Sequence, residues 1–228
     1  MYVIVFDVDG TLTDTVEVDA RCFLQTFEEV CGFKDVDADW SRYTHATDVG
    51  IYREVYAARR GRLPTSAETE RFREHLVGLF RAAAADRPFA PVRGAPELLA
   101  GLARRADYRI ALATGCWADA ARVKMAAAGM RYDDYPAASA DDAADRESII
   151  KLALGRACGP TDQSSPGAIY IGDGVWDVRA CYKAAIPFLG IAVGAQKEKL
   201  AAAGAVHVLP DFSDQDRFLS CIEKIFAI

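Results

Sequence analysis

The chain has 228 residues, of which 51% are hydrophobic and 26% charged, and its net charge is −6. Such a composition suits one large globular domain or a domain carrying an insert, and the acidic balance argues against nucleic acid as a main partner. No apolar run approaches the roughly 20 residues of a membrane span, and the opening hydrophobic stretch carries no basic leader. The expectation is therefore a soluble, cytoplasmic protein with no membrane and no nucleic-acid partner. The six cysteines, Cys22, Cys31, Cys116, Cys158, Cys181 and Cys221, form no C-x-x-C pair and no cluster of zinc spacing. Most are expected to be small buried apolar residues in a reducing compartment.

Taken in order, Tyr2 to Phe6 is a short, β-branched and aromatic run that reads as a strand buried on both faces. It ends in Asp7-Val8-Asp9-Gly10-Thr11. Val16 to Val30 has apolar residues at helical spacing, and Gly32 is placed to end that helix. Trp40 to Thr47 is aromatic and polar without a clean period. Asp48 is the expected cap of a second helix that stops at Gly61, and Pro64-Thr65-Ser66 opens a third that runs to the alanines at 82–85. At Pro88 to Gly94 two prolines and a glycine mark a linker.

From there strand and helix alternate. Helices are expected at Pro96 to Arg105, Trp117 to Ala128, Arg146 to Cys158, Trp176 to Ala185, Lys197 to Ala203 and Asp214 to Phe226. Strands are expected at Tyr108 to Ala113, Pro136 to Ser139, Ala168 to Ile171, Phe188 to Val193 and Val206 to Leu209. Repeated βα units imply a Rossmann-like, mainly parallel sheet with helices on both faces. The domain plan is an α/β core of residues 1–15 and 88–228, with an all-helical cap of residues 16–87 inserted after the first strand.

Three strand ends carry polar, small-residue turns: Asp7 to Thr11, Thr114-Gly115-Cys116 and Gly172-Asp173-Gly174 with Asp177 following. In a parallel sheet these ends gather on one edge, where ligands of such sheets bind. Asp7 and Asp9, roughly 6–7 Å apart if the chain stays extended, point to one side. Together with Asp173 they offer hard oxygen ligands that suit Mg²⁺, and no His or Cys accompanies them to favour zinc. Thr114, with the backbone N–H groups of Gly115 and Cys116 at an expected helix start, is a candidate anion site; the alternative is that Thr114 merely caps that helix. Arg146 is the favoured balancing cation and Lys151 the alternative. Asp177 could bind the metal, bind a metal water, orient a basic side chain or serve helix-start electrostatics. His45, in the cap loop, is a candidate substrate contact, and Trp176 reads as core packing.

In these motifs the chain resembles the haloacid dehalogenase superfamily, in its phosphatase branch with a helical cap. The first motif is Asp7-Val8-Asp9-Gly10-Thr11; Thr114, Arg146 and Gly172-Asp173 with Asp177 follow in order. The resemblance implies that Asp7 is the nucleophile and Asp9 the acid and base. It further implies that Asp7, the backbone carbonyl of Asp9, and Asp173 hold Mg²⁺, that Thr114, Gly115 and Arg146 bind the phosphoryl group, and that Thr11 and Asp177 support the site. A second carboxylate nearby is expected to raise the proton affinity of Asp9. The implied partner is a small phosphorylated metabolite.

The commoner third-motif residue of that family is lysine, so Arg146 departs from the pattern. Asp9 separates the chain from the dehalogenases and from the phosphonate-cleaving members, which lack that acid. A phosphomutase of the β-phosphoglucomutase type keeps both aspartates and remains an alternative, as does a catalytically silent module binding phosphate and Mg²⁺. Thr13 to Val16 and Pro88 to Gly94 are the two crossings between core and cap, expected to act as hinges. No coiled-coil repeat marks an interface, and monomer and dimer stay open.

Overall fold

A computed structural model describes residues 1–159 and 167–226. Its six strands are β1 (Tyr2–Phe6), β2 (Tyr108–Ala113), β3 (Ala137–Ala138), β4 (Gly167–Gly172), β5 (Phe188–Ile191) and β6 (His207–Leu209). All pair in parallel, in the order β3-β2-β1-β4-β5-β6. β1 is central. Val3, Ile4, Val5 and Phe6 are wholly buried because helices cover both sheet faces. Ile4 and Phe6 face one layer, where Phe6 meets Phe212 and Phe218 at ring-centroid distances of 6.1 and 6.4 Å. Val3 and Val5 face the other, against Ile149 and Ile150.

The strand order reverses direction between β1 and β4. The register pairs Phe6 with Leu112 on one side and with Ile171 on the other. Asp7 and Asp173 therefore leave neighbouring strands at the switch point, the place where a crevice must open.

The helical insert comprises α1 (Val16–Thr26), α2 (Asp48–Arg60) and α3 (Ser66–Asp86), with a single 3₁₀ turn at Trp40–Arg42. Phe72 is its centre, with ring centroids of Tyr52, Phe27 and Phe23 at 4.3, 4.8 and 5.5 Å. The expected helix from Val16 does end at Gly32, but its last turn, Phe27–Cys31, widens into a π-helical turn. The widening delivers both Phe27 and Phe33 to the aromatic cluster, at 6.4 Å from one another. Thr65 opens α3 with a reciprocal cap: its hydroxyl accepts from the Glu68 N–H, and Glu68 accepts from the Thr65 N–H.

Asp48 is not the cap of α2. Thr47 fills that role, its hydroxyl accepting from the Gly50 N–H at 3.1 Å, and Asp48 is the first helical residue. The remaining helices are α4 (Ala95–Ala103), α5 (Ala118–Ala127), α6 (Arg146–Cys158), α7 (Val175–Ala184), α8 (Gly194–Ala202) and α9 (Gln215–Phe226).

The two crossings between insert and sheet run side by side. The Asp14 N–H donates to the Ala90 carbonyl and the Val92 N–H to the Leu12 carbonyl, each at 2.9 Å. All six cysteines are free, but only Cys22, Cys116 and Cys181 are buried; Cys31, Cys158 and Cys221 are half-buried, short of the expected burial. No described helix is long and apolar enough to cross a membrane.

Candidate active site

The carboxyl ends of β1, β2 and β4 open into a cleft of about 1080 Å³ between sheet and insert. Asp7, Asp9, Gly115, Arg146 and Asp173 all line it. The sheet edge thus brings together residues far apart in the chain.

Gly10 makes the first motif possible. It sits at φ +71°, and a Cβ there would collide with the Asp173 carboxylate and with Val16. Only glycine gives this turn and this close approach at once. The turn is pinned by Thr13, whose hydroxyl donates to the Val8 carbonyl at 3.1 Å. Strand pairing stops at Phe6, so Asp7 and Asp9 diverge into different surroundings.

Asp7 lies on the β4 side. Its N–H donates to the Ile171 carbonyl, and its Oδ1 is 3.1 Å from Arg146 Nη1. That contact is an ion pair off the N–H axis, and Oδ1 accepts no aligned hydrogen bond. Asp7, Asp173 and Asp177 each place a carboxylate oxygen within 4.8 Å of the others. Burial, opposed by Arg146 and reinforced by Asp177 and Asp9, pushes the Asp7 carboxyl up to about 7. Burial beside Asp7 and Asp177 also pushes Asp173 well above the usual carboxylate range.

Of the three acids, Asp177 is already engaged. Its Oδ1 accepts from Arg146 Nη1 at 3.0 Å, and its Oδ2 from the Gly174 N–H at 3.0 Å. It orients the cation at the start of α7, one of the roles weighed for it. Asp7 and Asp173 are the pair left short of positive charge. A buried carboxylate, Asp7, and a half-buried one, Asp173, without nitrogen or sulfur donors fit a hard, oxygen-seeking cation such as Mg²⁺.

Asp9 lies on the α5 side, and its surroundings overturn one expectation. Lys124, on α5 and wholly buried, places Nζ 2.9 Å from Asp9 Oδ1 and 3.0 Å from Oδ2. Thr15 donates to Oδ1 at 2.5 Å, and Cys116 Sγ to Oδ2 at 2.7 Å. Burial alone would raise the proton affinity of Asp9, but the ammonium and these donors outweigh it and hold the carboxyl below its usual range. A neighbouring carboxylate was expected to push it the other way; the nearer cation wins because it touches both oxygens. Lys124 carries no motif signature. Its signal was its place on the buried stripe of Ala120, Ala121 and Ala128 at helical spacing, where a lysine must find buried partners.

Arg146 is the cation brought to Asp7, whereas Lys151 pairs with Glu147 on the exposed side of α6 at 2.5 Å. Thr114 is buried, and its hydroxyl accepts from the Cys116 N–H at 3.2 Å. It does not cap α5, which starts only at Ala118 with Trp117 as its N-cap residue, so Gly115 and Cys116 form a tight turn ahead of the helix. A Cβ on Gly115 would lie 2.6 Å from Arg146 Nη2 and 3.0 Å from the Ala46 carbonyl, so the turn admits cation and cap loop together. The Thr11 hydroxyl is buried without a hydrogen-bond partner and does not line the cleft. His45 is exposed and lines an adjoining cavity of about 270 Å³. Trp176 lines both spaces, with its ring centroid 5.9 Å from the Arg146 guanidinium carbon, rather than filling the core.

The insert is latched over this edge. The Asp48 N–H donates to the Gly115 carbonyl at 2.7 Å, and the Trp117 N–H to the Asp48 carboxylate at 2.9 Å. Thr47 donates to the Ala144 carbonyl at 2.6 Å and Arg146 Nε to the Ala46 carbonyl at 3.2 Å. Farther out, Arg73 of α3 joins Asp119 and Asp141 at 2.9 and 2.6 Å.

A switch-point crevice with clustered acids, a fixed arginine and a helical cap defines a Rossmann-like α/β hydrolase with an inserted cap. The chain belongs to the haloacid dehalogenase-like hydrolases, whose family model matches residues 1–184. Among solved structures it is similar to a hydrolase from Pseudomonas syringae, at 21% identity and TM-score 0.75, covering 97% of this chain and 99% of that one. It is also similar to CbbY from Rhodobacter sphaeroides in complex with phosphate, at 24% identity and TM-score 0.68, covering 93% and 95%. A variant of CbbY in complex with xylulose-(1,5)bisphosphate aligns at 23% identity and TM-score 0.69, with the same coverage. No curated protein matches the chain by sequence.

Proposed function

We propose that this hydrolase is a Mg²⁺-dependent phosphatase for a small phosphomonoester, working through a phosphorylated Asp7. The carrying observation is the Asp7–Asp173 pair: a buried and a half-buried carboxylate, both of raised proton affinity, facing one cleft beside Arg146. Such a pair cannot stay doubly ionised without more positive charge nearby. Mg²⁺ held by Asp7, Asp173 and the Asp9 backbone carbonyl would supply that charge and shield the nucleophile from the substrate's own anion.

In this reading Asp7 attacks phosphorus while Arg146 steadies the equatorial oxygens, joined by Thr114 and Gly115. The leaving oxygen takes a proton through Asp9. Asp9 starts ionised beside Lys124, so that proton arrives with the substrate; phosphomonoesters have a second pKa of about 6 and bring one in their monoanionic form. Asp9 then takes a proton from the water that releases phosphate from Asp7. Asp177 and Thr11 act behind the site, the first by aiming Arg146.

Residues 16–87 would form the cap and residues 1–15 with 88–228 the core. The cap's inner wall, with Phe23, Trp40 and Asp48, would receive the leaving group. The bound phosphate and bisphosphate of the CbbY structures are precedents for a phosphorylated ligand on this fold.

The test is release of phenol from an aryl phosphate by wild type and Asp7→Asn, with and without Mg²⁺. Loss of a nucleophile is expected to cost at least about a thousandfold in turnover, and wild type should depend on the metal. Equal turnover by the two proteins would overturn the assignment.

A further inference from the structure

Lys124 is a core residue whose ammonium has two owners. Lys124, on α5, is wholly buried, and its Nζ ends behind Asp9, Asp19 and Cys116, which line the cleft while Lys124 does not. On the core side it holds both oxygens of Asp9, at 2.9 and 3.0 Å, and lies 3.1 Å from Cys116 Sγ. On the cap side it bonds Asp19 Oδ1 of α1 and sits 4.4 Å from the Phe80 ring centroid of α3. Asp9 precedes the first crossing between core and cap, and Asp19 follows it. One ammonium therefore ties the two sides of that crossing together.

The geometry is specific. Asp9, Asp19 and Cys116 converge as closely as a metal-binding trio, but the lysine nitrogen fills the middle, so their ligand atoms are spent on it. A compact ammonium offers three donors at most, and here Asp9, Asp19 and Cys116 surround it. If α1 moved away with the cap, Nζ would lose Asp19 and the Phe80 face, and its hold on Asp9 would be free to shift. With α1 in place, Nζ is pinned between two carboxylates, and Asp9 is pinned by Lys124, Thr15 and Cys116.

We propose that Lys124 is the positioning residue for Asp9 and that, through Asp19, it makes the aim of Asp9 depend on the cap being seated. This rests on the reading of Asp9 as acid and base given above. It concerns orientation: Lys124 touches neither the nucleophile nor the phosphoryl site.

The test uses the full-length chain with saturating Mg²⁺ and two substrates, nitrophenyl phosphate and glycerol phosphate. Expulsion of nitrophenolate needs little protonation, whereas an alkoxide needs it fully, so a disoriented Asp9 separates them. Lys124→Met is expected to lose about 100-fold or more in kcat on glycerol phosphate, within the range for general acid–base catalysis, and roughly tenfold less in the first turnover of nitrophenyl phosphate. Because release of phosphate from Asp7 also uses Asp9, the variant should show a nitrophenol burst near one per enzyme, followed by a slow steady state. Asp19→Asn keeps the ammonium beside Asp9 and removes only the cap's hold. It is expected to lower kcat on glycerol phosphate several-fold while KM stays within about twofold, and it carries the test should Lys124→Met not fold.

Equal losses on both substrates without a burst, or unchanged kinetics in either variant, would overturn the proposal and leave the phosphatase reading standing. Wild type no faster than Asp7→Asn would overturn both.

Discussion

Two acidic clusters start from neighbouring aspartates of one turn, Asp7 and Asp9, and meet the problem of buried charge in different ways. Around Asp7, Asp173 and Asp177 the cation comes from the flank: Arg146 reaches Asp7 and Asp177, and Asp173 is left without it. Around Asp9, Asp19 and Cys116 the cation sits in the middle, as Lys124. The first cluster keeps its carboxyls high in proton affinity; in the second Asp9 is held low, although burial still raises Asp19 against the same ammonium. Positive charge placed at the side leaves the carboxylate oxygens of Asp7 and Asp173 facing the cleft, while positive charge at the centre engages those of Asp9 and Asp19. A guanidinium is suited to the first task because its planar fork serves two acids at once, and a point-charge ammonium to the second.

Removing each cation should break the comparison most visibly. Arg146→Met and Lys124→Met each strip one partner from a buried pair and are expected to cost about 3–5 kcal/mol in urea unfolding without metal. Mg²⁺ should then restore much of the loss in Arg146→Met, since the metal would replace charge beside Asp7. It should restore little in Lys124→Met. Equal rescue of both would show that the clusters do not differ in this way.

A smaller effect is expected from pH. The Asp7 carboxyl is raised from 3.8 to about 7, so its contribution to stability is fully present below 3.8 and fades as pH rises through about 7. At pH 8 the metal-free site is therefore at its least stable, and protons no longer compete for it. Mg²⁺ at a hundred times its Kd should add about 2.7 kcal/mol at pH 8 and distinctly less at pH 5, read as the shift in Tm. A shift that grows toward pH 5 would contradict the site. The smallest change is Cys116→Ala, which removes one donor from Asp9 but leaves Lys124 in place; about 1 kcal/mol of stability is expected to go, measured by the urea midpoint.

The first cluster was legible in the sequence and the second was not, for a physical reason. Asp7, Arg146 and Asp173 each sit at a strand end or helix start, marked by glycines and by a change of rhythm, so topology alone brings them to one edge. The strand at Tyr108–Ala113 and the helix at Arg146–Cys158 fall where the pattern placed them. Lys124 sits mid-helix among alanines, and its partners Asp9 and Asp19 lie more than a hundred residues away. A lysine there reads by default as solvated; only its register on an apolar stripe says otherwise. The α2 start was displaced by one residue because Thr47 and Asp48 are both good caps, and tertiary contact chose: the Asp48 carboxylate is taken by the Trp117 N–H. The π-helical turn at Phe27–Cys31 left no local trace, since it follows from where the aromatic cluster must pack.

The central position of β1 also bears on how the chain reaches its native state. Its neighbours in the sheet are residues 108–113 and 167–172 of 228, so the first pairing waits until about half of the chain has been made and the second until about three quarters. The helical block between them is built from local contacts and can form early, shortening the effective loop that β1 must close. Until then a wholly apolar strand waits unpaired, with its aspartates as the nearest charges. The insert would thus act first as a folding spacer and only afterwards as the wall of a reaction site.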